Sequence, residues 1–233
     1  MQQTTTTAAP AATPAKPNPP APPPELQEGA IATMDGAGLM GILKDPGSSE
    51  FQKAKACVRI GELGVKEAVP LLAALLTDEH LNAYARYGLE PIADPSADEA
   101  LRAALGKLKG NLLVGVINSI GKRRDAKASP ALVRLMRGPD PEAARAAAAA
   151  LGSIGGQASA KELTAALPKA SGALKMAVAD AALICAERLL AEGQREQALA
   201  LYTTLSGPDT PRPARLAAMS GIIREETSTG RPR

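Results

Sequence analysis

Four short segments of this sequence share one pattern, in which an apolar residue, two spacers, a second apolar residue and a small residue follow one another. These segments are Ile60–Gly64, Leu89–Ala93, Ile117–Gly121 and Leu151–Gly155. A second apolar segment follows each of them, and its leucine recurs at intervals of 29, 31 and 31 residues. These leucines are Leu72, Leu101, Leu132 and Leu163. Two landmarks that recur together at one period predict a chain built from repeated units of about 30 residues.

The apolar residues within each unit have helical spacing. Short runs carry apolar side chains at i, i+3, i+4 and i+7, and they end at Gly, Pro or Asp. The sequence has 48 alanines and four aromatic residues, a composition that favours closely packed helices over a β-sandwich or barrel. Because a lone pair of short helices buries too little surface to stay ordered, we predict an all-α fold of stacked helix pairs.

Several segments resemble a known repeat family. Asp140-Pro-Glu-Ala-Ala-Arg145 to Leu151-Gly-Ser-Ile-Gly155 resembles the first helix and turn of a HEAT repeat, of the short bacterial type also called phycobilisome-lyase-like. Residues 84–94 and 114–127 are similar to HEAT modules of large modular bacterial proteins, so the resemblance covers roughly residues 49–169. It implies a right-handed α-solenoid (alpha-alpha superhelix) of antiparallel helix pairs, with the second helices along the concave face. After residue 170, Gly193 to Tyr202 resembles half of a tetratricopeptide unit.

We predict three regions along the chain. Residues 1–28 are expected to be a disordered Pro/Ala/Thr-rich tail, since residues 1–24 hold eight prolines and a single charge, Lys16. Matches to P-x-x-P in this tail leave a second interpretation open, that of a ligand for a proline-recognising domain. Residues 29–226 are predicted to form the solenoid and 227–233 a disordered end. The predicted repeats are 49–79, 80–109, 110–138, 140–169 and 171–207, with a partial repeat at 211–226.

Charge and hydropathy narrow the classes of function. The formal net charge is +3, which is too small to mark a nucleic-acid protein by itself. No run approaches the 18 apolar residues that a membrane span needs, and the start lacks the basic and apolar regions of a secretory signal. We therefore expect a cytoplasmic protein, or a periplasmic or secreted one if a signal peptide precedes the sequence given.

One stretch of the sequence is strongly basic. Residues 102–137 contain nine Lys or Arg residues and one acid, Asp125, so the stretch carries +8. This charge favours a patch that binds anions or nucleic acid. The alternative interpretation is a solvated face that keeps an alanine-rich stack soluble and complements helix C-termini. No aromatic residue lies within the stretch to stack on bases.

Tyr84, Arg86 and Tyr87 are predicted to share one short helix, with the two tyrosines on the same face. They could pack in the seam between repeats, or anchor an interface, since Tyr and Arg are common hot-spot residues. Together with the basic stretch they make up our candidate interaction surface. Its residues are Tyr84, Arg86, Tyr87, Arg102, Lys109, Lys122, Arg123, Arg124, Arg134 and Arg137.

The sequence indicates no catalytic, cofactor or metal site. His80 is the only histidine, and Cys57 and Cys185 are interpreted as small core residues in separate repeats. The His-Glu metal motifs of HEAT-like hydroxylases are absent.

We expect a non-enzymatic, monomeric scaffold that binds a protein partner through its solenoid surface. Anion or nucleic-acid binding through residues 102–137 is the alternative, and tetrapyrrole lyase-like activity a second one suggested by family analogy only.

Overall fold

The computed structural model describes residues 29–229. The predicted tail at 1–28 and residues 230–233 of the predicted C-terminal end lie outside the described residues. Within the described part the chain forms twelve α-helices and no strand, which confirms the all-α prediction. In chain order they are α1 (Gly36–Lys44), α2 (Glu50–Leu63), α3 (Val69–Ala74), α4 (Asn82–Leu89), α5 (Pro95–Leu105), α6 (Gly110–Arg123), α7 (Ser129–Met136), α8 (Pro141–Ile154), α9 (Gly156–Ala166), α10 (Gly172–Ala191), α11 (Arg195–Leu205) and α12 (Arg212–Thr229). Short 3-10 helices lie at Gly29–Thr33, Lys66–Ala68, Leu75–Thr77 and Ala126–Ala128.

The helices stack in two layers. The first helices of successive units are α2, α4, α6, α8, α10 and α12, and each contacts the first helix of the next unit. The second helices are α3, α5, α7, α9 and α11, and each packs against the first helix that follows it. One continuous apolar core runs through these contacts from Ile31 to Ala218. The molecule is therefore an α-solenoid whose units are stabilised by their neighbours.

The leucine landmarks of the sequence lie at the centre of this core. Each is fully buried, and each lies 12 residues after a fully buried residue of the preceding first helix. These pairs are Ile60 and Leu72, Leu89 and Leu101, Ile120 and Leu132, and Leu151 and Leu163. The period of 29 to 31 residues thus reflects one buried pair for each unit.

The predicted alignment of the third junction is wrong by three residues. Ile120, rather than Ile117, is equivalent to Ile60, because Gly64 and Arg124 both end their helices in the left-handed conformation, at φ 66° and 58°. The Gly64 amide donates to the Ile60 carbonyl, and the Arg124 amide donates to the Ile120 carbonyl. Ile117 and Ile120 lie one turn apart on the same buried face, so the sequence pattern fits both.

The first helices approach one another at backbone contact. A methyl group added at Gly152 would lie 2.5 Å from the carbonyl oxygen of Ala181 in the next first helix. One added at Gly121 would lie 2.9 Å from the Cα of Ala150, and one at Gly61 would lie 2.9 Å from the carbonyl oxygen of Gly88. Each of these glycines directly follows a buried Ile or Leu of the repeat. The absence of a side chain at this position is what allows such short distances between helices.

The second unit departs from this rule. Glu90 occupies the position that Gly61, Gly121 and Gly152 hold in the other units, and its side chain is 7% exposed. On the facing helix α6 it meets Ser119, whose hydroxyl donates to the Glu90 carboxylate at 2.7 Å. The contact between α4 and α6 is therefore polar, whereas a glycine meets backbone or alanine atoms where α2 faces α4, α6 faces α8 and α8 faces α10.

The ends of the helices show why the chain folds in short segments. Ser49 and Gln52 form a reciprocal capping box at the start of α2, and the Asp140 carboxylate accepts the amides of Glu142 and Ala143 at the start of α8.

The last helix, α12, continues to Thr229, three residues past the predicted end of the solenoid. No helix within residues 29–229 combines the length and apolar character that crossing a membrane requires.

Candidate interaction surface

The two tyrosines of the predicted surface lie on the outside of α4. Tyr84 is 41% exposed and Tyr87 is 53% exposed, so the interpretation that they pack in the seam between repeats is wrong. The guanidinium of Arg86 lies 5.9 Å from the centroid of the Tyr87 ring. Tyr84 and Tyr87 are accessible to a partner, and their role in binding stays a prediction.

Arg86 is directed into the stack and away from solvent. Its Nε donates to the side-chain oxygen of Asn82 at 3.0 Å, and its Nη1 lies 3.4 Å from the hydroxyl of Ser119. A methyl group at Gly115 of α6 would lie 2.7 Å from this Nε, so the glycine makes room for the guanidinium. Arg86 therefore belongs to the polar contact between α4 and α6.

Lys122 also takes part in the polar contact between α4 and α6, through Glu90. The Lys122 ammonium donates to the Glu90 carboxylate at 2.7 Å, and this hydrogen bond raises the pKa of Lys122. The lysine side chain is 68% exposed while the glutamate is nearly buried. Lys122 is accessible, but its charge is balanced by the acid beneath it.

Arg123 is not part of an accessible surface, contrary to the prediction. Its side chain is only 8% exposed and forms a bidentate pair with Asp98, at 2.5 and 3.0 Å. Its Nη1 also donates to the backbone carbonyls of Leu89, Glu90 and Ile92 at 3.0, 2.8 and 2.6 Å. The Leu89 and Glu90 carbonyls end α4, where a helix leaves acceptors without intrahelical donors, and the Ile92 carbonyl lies just beyond it. The side chain thus caps a helix of the preceding unit.

Arg102 is likewise withdrawn from the predicted surface. It forms an ion pair with Asp125, and the two side chains are 22% and 7% exposed. Arg137 pairs with Glu162 at 2.7 Å and stays accessible, at 58% exposure.

Four of the nine basic residues in 102–137 are therefore neutralised, three of them by acids outside the stretch. Within residues 29–229 no ion pair involves the other five, which are Lys107, Lys109, Arg124, Lys127 and Arg134.

The second helices leave a row of clefts between them. Clefts of about 350, 380, 410 and 260 Å³ lie between α3 and α5, α5 and α7, α7 and α9, and α9 and α11. Apolar residues predominate in the first three, with Ala103, Leu135 and Leu174 among them, whereas the fourth combines apolar residues such as Ala200 with glutamine and threonine side chains. The close contacts of the first layer and the clefts of the second give the two faces of the stack different character.

Cations line every one of these clefts. They are Lys107 in the first, Arg134 in the second, Arg137 and Lys169 in the third, and Lys161 in the fourth. Lys107 and Lys169 both lie six residues after the buried leucine of their repeat. Alignment of the repeats indicates these two positions, whereas the local density of charge along the sequence overlooks Lys161 and Lys169.

The cysteines are buried, as predicted. Both thiols are free and fully inaccessible, and burial raises the pKa of Cys57 to about 12 and that of Cys185 to about 11. His80 lies at the surface, with its Nδ1 3.9 Å from a carboxylate oxygen of Glu50. Across the described residues no group of three or more His, Cys, Asp or Glu side chains is placed to hold a metal ion.

Comparison with known proteins finds a family match over part of the chain. Residues 98–182 match the family model of HEAT repeats. The crystal structure of an engineered protein is similar over 83% of this chain and 98% of its own, with 16% identity and a TM-score of 0.50. The complex of CpcE and CpcF of phycocyanin lyase from Nostoc sp. PCC7120 covers 93% of this chain and 99% of that chain, at 17% identity and a TM-score of 0.45. The structure of human deoxyhypusine hydroxylase in complex with glycerol is similar over 84% of this chain and 88% of its own, at 15% identity and a TM-score of 0.38. No curated protein sequence matches this chain.

Proposed function

We propose that this chain, whose residues 98–182 match the HEAT-repeat family model, is a non-enzymatic scaffold that binds a protein partner along the face formed by its second helices. The observation that carries the proposal is the row of four clefts on this face. Ligand and peptide sites are concave and mostly apolar, with a few polar groups that set orientation, and these clefts fit that description. Consecutive clefts offer one extended surface, which suits a polypeptide better than a compact small molecule.

The alternatives have less support. Binding of nucleic acid through residues 102–137 loses two of its predicted contacts, because Arg102 and Arg123 are withdrawn into ion pairs, and the stretch has no aromatic residue to stack on bases. Tetrapyrrole lyase-like activity has no support from the likeness to phycocyanin lyase, because similarity at 17% identity concerns the fold alone.

Blocking the clefts with a bulky side chain tests the proposal. Ala103 and Ala200 are exposed residues that line the first and last clefts, whereas Ala149 is an exposed alanine on the first helix α8. We expect a native lysate to yield a defined protein on the immobilised wild-type chain and on Ala149→Trp. The double variant Ala103→Trp/Ala200→Trp should lose it, because the indoles would occupy the binding surface. The proposal would be contradicted if all three chains recovered the same proteins, or if no chain recovered a protein.

A further inference from the structure

We infer that the partner segment is acidic and apolar, and that it lies in extended conformation across the clefts between the second helices. The inference rests on the proposed function and names the chemistry of its partner. It starts from the charges that line the clefts, which are five cations and a single acid, Asp140. The Asp140 carboxylate already accepts two backbone amides at the start of α8, at 3.0 and 3.2 Å.

Most of these cations are available to a partner. Arg137 forms an exposed ion pair with Glu162, but no ion pair within residues 29–229 involves Lys107, Arg134, Lys161 or Lys169. All four side chains belong to residues that are exposed. A partner with carboxylates spaced along it would meet one or two cations at each cleft, and such complementarity selects partners by charge.

The cleft walls indicate that the partner also carries apolar side chains. Ala73, Leu76 and Leu108 line the first cleft, and Met136, Leu174 and Val178 line the third. No aromatic residue lines any of the four, so a base would find no ring on which to stack. Apolar walls beside a cation suit an aliphatic side chain next to a carboxylate, and they favour a polypeptide over a nucleic acid.

The dimensions of the stack fit an extended segment. Packed helices lie about 8–10 Å apart, and an extended chain advances about 3.3 Å for each residue. One cleft therefore corresponds to about three residues of the partner, which allows one apolar and at least one acidic side chain per cleft. Residues 1–28 of this chain do not have this composition, since their only charged side chains are Lys16, Glu25 and Glu28.

A designed peptide of four Ile-Asp-Ser repeats, labelled with fluorescein, provides the probe. We expect its fluorescence anisotropy to rise when the full chain is added at low salt, whereas a peptide of four Ile-Lys-Ser repeats should give no change. Reversing three cleft cations in Lys107→Glu/Arg134→Glu/Lys169→Glu should weaken binding by about tenfold or more, the combined effect of three exposed ion pairs.

A matched variant separates cleft binding from attraction to net charge. Lys44→Glu/Lys66→Glu/Lys127→Glu changes the net charge by the same amount at exposed residues outside the four clefts. This variant should keep the affinity within about threefold of wild type, and circular dichroism should show both variants folded. Equal weakening by the two triple variants would overturn the inference. So would tighter, cleft-dependent binding of a thymidine oligonucleotide.

The two proposals can fail separately. If the alanine-to-tryptophan variants lose a lysate protein but the acidic peptide does not bind, the second-helix face is a binding surface and its partner is of another chemistry. If neither experiment shows binding through this face, both proposals are wrong.

Discussion

The guanidinium of Arg123 stabilises the end of a helix that belongs to the preceding repeat. Its contacts are with Asp98 of α5 and with three carbonyls at and just after the end of the eight-residue helix α4. An arginine is suited to this position because its planar group presents several donors in fixed directions and is always charged. The residue therefore has a structural role in joining the second and third units.

Substitution of this residue should be costly. We expect Arg123→Ala to lower the free energy of unfolding by about 3 kcal/mol, because it leaves Asp98 and the α4 carbonyls without their donor. Urea denaturation followed by circular dichroism measures the change. The neighbouring Arg124→Ala removes an exposed arginine of the same charge and should change the free energy by less than about 0.5 kcal/mol. Equal effects of the two substitutions would refute the capping role.

The roles of the basic residues could be predicted only in part. The density of Lys and Arg in 102–137 is visible in the sequence, but the acids that neutralise Lys122, Arg123 and Arg137 lie about 25 to 32 residues away along the chain. One repeat in sequence is one step in the stack, so these residues become neighbours only after folding. A charge count over a local window cannot include them.

At the scale of the helices, the glycine after the buried Ile or Leu of three units sets the distance to the next unit. Gly61, Gly121 and Gly152 face backbone atoms of the next first helix, so no side chain can be added without displacing that helix. In the repeated junction of the sequence only Gly121 was the small residue, since Gly61 and Gly152 stood at spacer positions. The register of the third unit could not be read, because Ile117 and Ile120 offered equivalent apolar positions.

Adding one methyl group tests this packing. We expect Gly152→Ala to destabilise the protein by about 1–3 kcal/mol, because the new Cβ would lie 2.5 Å from the Ala181 carbonyl oxygen. Gly41→Ala is the control, since Gly41 lies inside α1 with nothing within 4 Å of the added methyl group. That substitution should stabilise the chain by about 0.5–1 kcal/mol through helix propensity alone. Thermal or urea unfolding measures both, and a stabilised Gly152→Ala would show that α8 and α10 are not in backbone contact.

Across the whole molecule, the stack divides at the polar contact between α4 and α6. On its C-terminal side α6, α8 and α10 are joined through glycine and alanine, while on its N-terminal side α2 and α4 form a similar pair. Between them Glu90, Ser119 and Arg86 replace backbone contact with hydrogen bonds. In a repeat protein, stability is the sum of such interfaces, and we predict that the stack opens first at this polar one.

Hydrogen exchange should show this division. We expect amides of α6, α8 and α10 to be the slowest and to exchange together, with α2 and α4 opening at lower free energy. Glu90→Gln should accelerate exchange in α2 and α4 more than in α8 and α10, because it weakens the acceptor shared by Ser119 and Lys122. Glu162→Gln, which affects the exposed pair with Arg137, should not produce this pattern. Uniform exchange across the boundary would contradict the division.

The cap that Arg123 supplies also has a consequence for synthesis. The α4 carbonyls that it satisfies precede it by 31 to 34 residues. A ribosome that adds about 5–20 residues each second takes roughly 2–7 s to reach Arg123 after Leu89. During that interval these carbonyls lack the Arg123 guanidinium as a donor, so the nascent second repeat is complete in sequence before it can be complete in structure.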